Sequence, residues 1–121
     1  MRLVAYHSTG AEQARSIMSR GFRIPRTAEE SSTDAPYGDF FPAIFFARSP
    51  DMFYGPALFE VMLEGKFTRL RPRRGESYAV ALHRAIGEAS RRGIDGVDSG
   101  RDDVGIAVVN PDAITMVARL A

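Results

Sequence analysis

The residues of this 121-residue chain that could do chemistry are few and lie far apart. His7, which Ser8 and Thr9 follow, can hydrogen-bond a polar ligand through either ring nitrogen. Phe45 and Tyr54 carry aromatic faces on which a flat ring can stack. With two histidines in different segments and no cysteine, the chain has no thiolate nucleophile and no disulfide, and we expect no metal site. These residues could bind a ligand by hydrogen bonds and stacking.

The first 22 residues have the pattern of a strand followed by a helix. We predict a short strand from Leu3 to Tyr6. Thr9 to Glu12 fits a capping box, and apolar residues then recur at helical spacing, which predicts a helix from about Ala11 to Arg20. Gly21 suits the left-handed conformation that ends such a helix, and Phe22 can fold back onto its apolar stripe.

The middle of the chain combines a polar loop with a short apolar run. Pro25 to Pro42 is poor in apolar residues, which predicts a long functional loop. Ala43 to Ala47 is typical of a strand buried on both faces. Ser49 to Met52, with proline at its second position, predicts the start of a helix.

The second half alternates strand and helix patterns. We predict a strand from Ala57 to Leu63, which Phe67 to Leu70 extends beyond a turn, and then a helix from about Glu76 to Arg92 that Gly93 ends. Three further short strands are predicted, at Ile94–Val97, Ile106–Val109 and Ile114–Val117. This order predicts an α+β fold, with a mixed sheet and two helices, in a single domain over residues 1–121.

Charge and hydropathy favour a soluble protein without a strong electrostatic field. The chain has 16 basic and 15 acidic residues, although Lys66 to Arg74 holds five of the basic ones. We interpret that cluster as a solvated loop because no aromatics interleave it, and phosphate binding is the alternative. No apolar run is long enough to cross a bilayer, and no signal peptide is visible, so we expect a cytoplasmic location without membrane contact.

Three blocks of residues carry a family resemblance, in the family's order along the chain. They are Tyr6–Thr9 with Gly21–Ile24, Ala43–Ala47 with Phe53–Tyr54, and Gly93–Val97 with Ile106–Ile114. Together they resemble ADP-ribosyltransferases related to poly(ADP-ribose) polymerases, especially small bacterial and phage-encoded members. The resemblance implies a compact split sheet, mixed or antiparallel, and NAD as the substrate, with no metal.

The resemblance also implies roles for single residues. His7 would hydrogen-bond the adenosine-side ribose, and backbone groups at Ser8 would meet the nicotinamide amide, with Thr9 beside them in the NAD site. Phe45, where the family has tyrosine, and Tyr54 would stack on the two faces of nicotinamide. Arg23 would reach toward the diphosphate portion, because its guanidinium offers a fork of donors.

One position departs from the family pattern. Many members place a glutamate at the start of a late strand, where this chain has Gly105. The nearest substitutes are Asp103, which we take as the tentative catalytic acid beside His7 and Phe45, and Asp102. Glu60, on a neighbouring strand, is a more distant candidate.

We therefore expect a mono-ADP-ribosyltransferase that cleaves NAD at the nicotinamide–ribose bond and modifies an unknown acceptor, as a bacterial or phage effector or toxin does. The first alternative is a catalytically silent NAD- or ADP-ribose-binding module. A second, an RNA 2′-phosphotransferase, would need several arginines in the pocket, and Arg23 and Arg48 are too few to favour it. The sequence identifies no acceptor.

Overall fold

The computed structural model describes residues 1–27, 40–52 and 54–121, and these form two β-sheets and two α-helices. The predicted α+β class is confirmed. In chain order the elements are β1 (Arg2–Thr9), α1 (Ala11–Arg20), β2 (Ile44–Phe46), β3 (Ala57–Glu64), β4 (Phe67–Arg69), α2 (Tyr78–Arg92), β5 (Gly96–Asp98), β6 (Ile106–Val108) and β7 (Ile114–Arg119), with one 3-10 turn at Pro111–Ala113 before β7.

The strands divide into a first sheet of order β1-β3-β7 and a second of order β2-β6-β5-β4. All pairs are antiparallel except β4 with β5, which run parallel because α2 connects them. The prediction that Phe67 to Leu70 extends β3 is therefore wrong. Phe67–Arg69 pairs with Gly96–Asp98 in the other sheet, because the turn after β3 redirects the chain.

Apolar side chains fill two layers of core. Between the sheets, Ala5, Val61 and Leu63 pack against Phe46 and Ile106, among others. The other side of the second sheet is covered by α2, and α1 packs against the first sheet. We call the side of β1 and β2 that faces the core between the sheets the inner face, and the opposite side the outer face.

The two helices begin in different ways. Ser77 caps α2, because its Oγ accepts a hydrogen bond from the N–H of Val80 at 3.2 Å. The predicted capping box of α1 is wrong, since Thr9 is the buried last residue of β1 and Gly10 holds the cap position without a side-chain bond. The helix predicted to start at Ser49–Met52 is also wrong, because those residues have no helical structure.

Candidate functional site

Strands β1 and β2 meet where the two sheets separate. Tyr6 and Ala47 exchange both backbone hydrogen bonds, each 2.8 Å long, in one antiparallel bridge. A ladder continuing in this register would next pair Ser8 with Phe45. No backbone hydrogen bond joins these two described residues, so the strands diverge here. We call the gap between Ser8 and Phe45 the opening.

Ser8 presents a backbone donor and a backbone acceptor to the opening. Tyr6 directs its N–H and C=O to β2, and residues two apart in a strand direct these groups to the same side. Ser8 therefore also directs its N–H and C=O toward β2, and neither has a hydrogen-bond partner among the described residues. Such a pair is complementary to a carboxamide, which offers one acceptor and one donor side by side.

The side chain of His7 spans the inner side of the opening. Its Nδ1 lies 2.9 Å from the carbonyl oxygen of Phe45, which only accepts hydrogen bonds, so Nδ1 carries the proton and donates. Burial lowers the pKa of His7, against the opposing effect of this hydrogen bond, and the ring is neutral at pH 7. Nε2 is then an acceptor.

An aromatic cluster fixes the orientation of this imidazole on the inner face. The ring centroid of His7 lies 5.6 Å from that of Phe22 and 5.4 Å from that of Phe46. Phe22 also contacts Phe46 and Phe59, so the segment after α1 is anchored beneath β1. Arg23, the next residue, is exposed. Arg23, the predicted phosphate contact, thus directly follows Phe22, whose ring packs on His7.

Ser8 and Phe45 share the outer face, and the backbone of Tyr54 contacts Ser8. Residues opposite each other on antiparallel strands share a face, so the side chain of Phe45 lies on the same face as Ser8. The N–H of Tyr54 donates to Ser8 Oγ at 3.2 Å. Gly55 has a φ of +154°, and a Cβ there would lie 2.3 Å from the carbonyl oxygen of Thr9. The turn that carries Tyr54 therefore lies directly against the end of β1.

Two predicted contacts are placed less favourably for a ligand. The side chain of Thr9 is buried. The ring of Phe45 packs edge-on against Phe41, with centroids 5.6 Å apart, and it is Phe46 whose ring lies against His7. Phe53 lies outside the described residues, as does most of the functional loop predicted from Pro25 to Pro42.

The backbone conformation requires glycine at position 105, where the resemblance leads us to expect an acid. Gly105 has a φ of +76°, and a Cβ there would lie 2.0 Å from the carbonyl oxygen of Phe46. Any side chain at this position therefore meets both backbone strain and a backbone clash. A glutamate cannot occupy position 105 while β2 and β6 are paired as they are.

The alternative carboxylates differ in their surroundings. Asp103 is exposed, and Arg101 binds both of its oxygens, at 2.9 and 2.7 Å, which lowers the pKa of Asp103. Asp102 is exposed in the same turn. Glu60 is partly buried, lies opposite Tyr6 on the outer face of β3, and forms no ion pair with a described residue. Of the three, Glu60 is the unpaired carboxylate on the face that bears the opening.

Sequence reasoning missed an ion pair and a buried serine that fix the loop before β6. Arg48 binds both carboxylate oxygens of Asp98, and this hydrogen bonding lowers the pKa of Asp98. The buried Oγ of Ser99 donates to the carbonyl oxygen of Gly105 at 2.6 Å and accepts from the N–H of Arg101. The only sequence signal was an Asp-Ser-Gly turn.

The described ranges contain neither of two other features, a metal-binding group and a membrane-spanning helix. No group of three or more His, Asp or Glu side chains there could hold a metal ion, and no helix there has the length and apolar character needed to cross a membrane. No known family model matches the chain, and no curated protein matches it significantly.

Proposed function

We propose that this chain is a mono-ADP-ribosyltransferase with NAD as its substrate. The observation that carries the proposal is that the N–H and C=O of Ser8 in the opening have no hydrogen-bond partner within residues 1–27, 40–52 and 54–121. The carboxamide of nicotinamide would bind this pair as the next strand of a ladder would. Phe45, on the same face as Ser8, and Tyr54, whose N–H donates to Ser8 Oγ, would flank the nicotinamide ring.

The rest of the dinucleotide would follow the residues around His7. The neutral imidazole offers Nε2 as an acceptor for a ribose hydroxyl, and its other nitrogen is occupied by Phe45. Arg23 is exposed and suits the diphosphate, because a guanidinium can donate two parallel hydrogen bonds to phosphate oxygens. These contacts would hold NAD bent around the end of β1.

In the proposed reaction the bond between the nicotinamide nitrogen and ribose C1′ breaks, and the nitrogen keeps the electron pair. A nucleophile of the acceptor forms a bond to C1′ and gives its proton to a base or to water. C1′ becomes oxocarbenium-like on the way, so the site acts mainly by orienting NAD and excluding water.

Glu60 is the carboxylate whose position best supports this reaction. It is a diagonal cross-strand neighbour of Ser8 on the outer face, and such neighbours lie roughly 7–8 Å apart. Asp103 is already bound by Arg101. We therefore propose Glu60 as the group that holds the nicotinamide ribose, with Asp103 as the alternative.

A silent NAD- or ADP-ribose-binding module is the second candidate, and Gly105 is the observation that favours it. The family's acid position cannot carry a side chain in this backbone. Binding through Ser8, His7 and the aromatic pair would be unaffected, because none of these contacts needs the acid.

Two measurements on the purified chain test the proposal. A thermal shift with millimolar NAD measures binding, because a ligand specific for the native state raises its stability. Chromatography measures nicotinamide release in the presence of candidate protein, nucleic-acid and small-molecule acceptors. We expect both signals in the wild type and neither in Phe45→Ala. Arg15→Ala, an exposed change on α1, is the control and should retain both.

Carboxylate variants separate the two candidates. Glu60→Gln should keep the NAD shift and lose nicotinamide release, whereas Asp103→Asn should keep both. A wild type that binds NAD but releases no nicotinamide is the silent module. If NAD causes no shift, both candidates are wrong.

A further inference from the structure

A strongly basic segment of the chain takes no part in the proposed NAD site. Eight Lys and Arg residues but only two Glu residues lie between positions 66 and 92, a net charge of +6 in a chain whose total is +1. This segment comprises β4, the loop after it and α2. The basic charge is therefore concentrated along one edge of the second sheet and the helix that covers it.

Both acidic side chains of this segment, Glu76 and Glu88, form ion pairs with arginines of the same segment. Arg84 binds both oxygens of Glu76, at 2.8 and 2.9 Å, and also lies near Glu88. Arg73 contacts Glu88 at 3.5 Å. The same Glu76 accepts a hydrogen bond from the N–H of Arg73, and Arg84 donates to the carbonyl of Arg71. These contacts hold the loop between β4 and α2 in one conformation.

Six exposed cations of this segment form no ion pair with a carboxylate of the described residues; Arg91 and Arg92 lie at the end of α2, and the other four follow one another along β4 and its loop. These four are Lys66, Arg69, Arg71 and Arg74, which we call the basic strip. Leu70 is buried between Arg69 and Arg71, so these two arginines point outward at alternate positions. Alternate residues of an extended chain are about 6.6 Å apart, so the two guanidinium groups are far enough apart to contact different phosphates of one strand.

We propose that the basic strip binds the phosphodiester backbone of a nucleic acid, without reading its bases. Three of its four cations are arginines, whose planar fork matches phosphate oxygens. No aromatic side chain within the strip offers a base a stacking surface, because Phe67 is partly buried against the core between the sheets. Val80 is the one exposed large apolar residue described between positions 66 and 92, so the strip lacks the apolar anchor of a membrane surface.

The strip runs close to the loop that leads into β6. The guanidinium of Arg69 lies 3.4 Å from where a Cβ on Gly100 would be. A bound strand would therefore pass beside the loop from Asp98 to Gly105. The inference does not depend on NAD binding, since no residue of the strip touches the opening.

Fluorescence anisotropy with fluorescein-labelled 20-mers of single-stranded DNA, duplex DNA and RNA tests the inference. If all four cations contact phosphate, the affinity should fall about a hundredfold between 50 and 200 mM salt. Arg71→Gln/Arg74→Gln should reduce the salt slope by about 2 and weaken binding roughly tenfold or more at low salt. Arg15→Gln/Arg20→Gln removes two exposed charges from α1 and should leave the slope unchanged.

Three results would overturn the inference. They are no binding to any of the three probes at 50 mM salt, equal losses in the two double variants, and equal affinity for labelled poly-glutamate. Binding to one or more nucleic acids that the strip variant alone weakens would support it. Circular dichroism of both variants confirms that each is folded.

Discussion

The Nδ1 of His7 donates to the carbonyl oxygen of Phe45 where β1 and β2 cease to pair. In an uninterrupted ladder the N–H of Ser8 would make that bond. The imidazole takes its place, so the N–H of Ser8 makes no bond to Phe45. His7 thus prevents β1 and β2 from pairing at the opening, and the same hydrogen bond sets the tautomer of its ring.

Substitutions of His7 should separate this structural role from ligand binding. His7→Ala loses the bond to Phe45 and the packing on Phe22, and we expect the free energy of unfolding to fall by about 1–3 kcal/mol. His7→Asn keeps a donor near the position of Nδ1 and should be less destabilised. Neither variant places a hydrogen-bond acceptor at the position of Nε2, so both should lose the NAD-induced thermal shift. NAD binding by His7→Asn at the wild-type level would contradict the ribose role.

The depressed pKa of His7 should make stability depend on mildly acidic pH. Below about pH 6.5 the unfolded chain protonates this imidazole while the folded chain resists protonation. Stability should therefore be complete above pH 6.5, fall as the pH decreases through that value, and level off below the folded pKa. Urea unfolding from pH 7.5 to 5 measures this, and His7→Asn should show a shallower decrease. Parallel curves for the two proteins would refute the assignment.

Introducing a glutamate at position 105, where the sequence resemblance leads us to expect one, should destabilise the protein instead of activating it. We expect Gly105→Glu to lower the free energy of unfolding by about 3 kcal/mol or more. The strain of a positive φ and the clash with the backbone of Phe46 both destabilise the folded protein. Gly100→Ala is the matched control. Its φ is +73°, but its Cβ would meet only the flexible end of Arg69, so about 1 kcal/mol is expected. A stable, active Gly105→Glu protein would show that β6 can move.

Ser99→Ala should loosen the loop between β5 and β6. It removes the 2.6 Å hydrogen bond to the carbonyl of Gly105 and leaves that buried oxygen without its side-chain donor. We expect a loss of about 1–3 kcal/mol in chemical denaturation. The control is Ser90→Ala, an exposed change on α2, which should be nearly neutral.

Glu76 should produce a second, more acidic transition. The hydrogen bond from Arg84 lowers the pKa of Glu76 from 4.5 to about 2. Its contribution to stability is present above pH 4.5 and is lost as the pH falls toward 2. Thermal unfolding over this range should show a smaller decrease in Glu76→Gln, and an unchanged decrease would argue against the pair with Arg84.

Local patterns predicted the elements better than their partners. The helix ending at Gly21 and the one ending at Gly93 could be predicted because each glycine stops a clear apolar stripe. The pairing of Phe67–Arg69 with β5 could not, since it depends on the path of α2. The capping box at Thr9 failed because β1 extends through that residue and buries it.

For the candidate site, the sequence could suggest candidate residues but not the groups that surround them in the fold. The backbone of Tyr54 contacts Ser8, whereas the roles of Ser8, Phe45 and Tyr54 toward NAD stay predictions. Neither the left-handed backbone of Gly105 nor the pair of Arg48 with Asp98 has a local sequence signal. Both arise from strands that are distant in the chain.

The parallel pairing of β4 with β5 has a consequence for the order of folding. Phe67 and Gly96 meet after one helix, whereas Arg2 meets Glu64 only once a much longer stretch of chain has closed. Because longer closures cost more entropy and slow contact formation, we expect the β4–α2–β5 unit to form early and β1 to dock late. The opening between β1 and β2 would then be among the last parts of the molecule to assemble and the first to exchange its amide hydrogens.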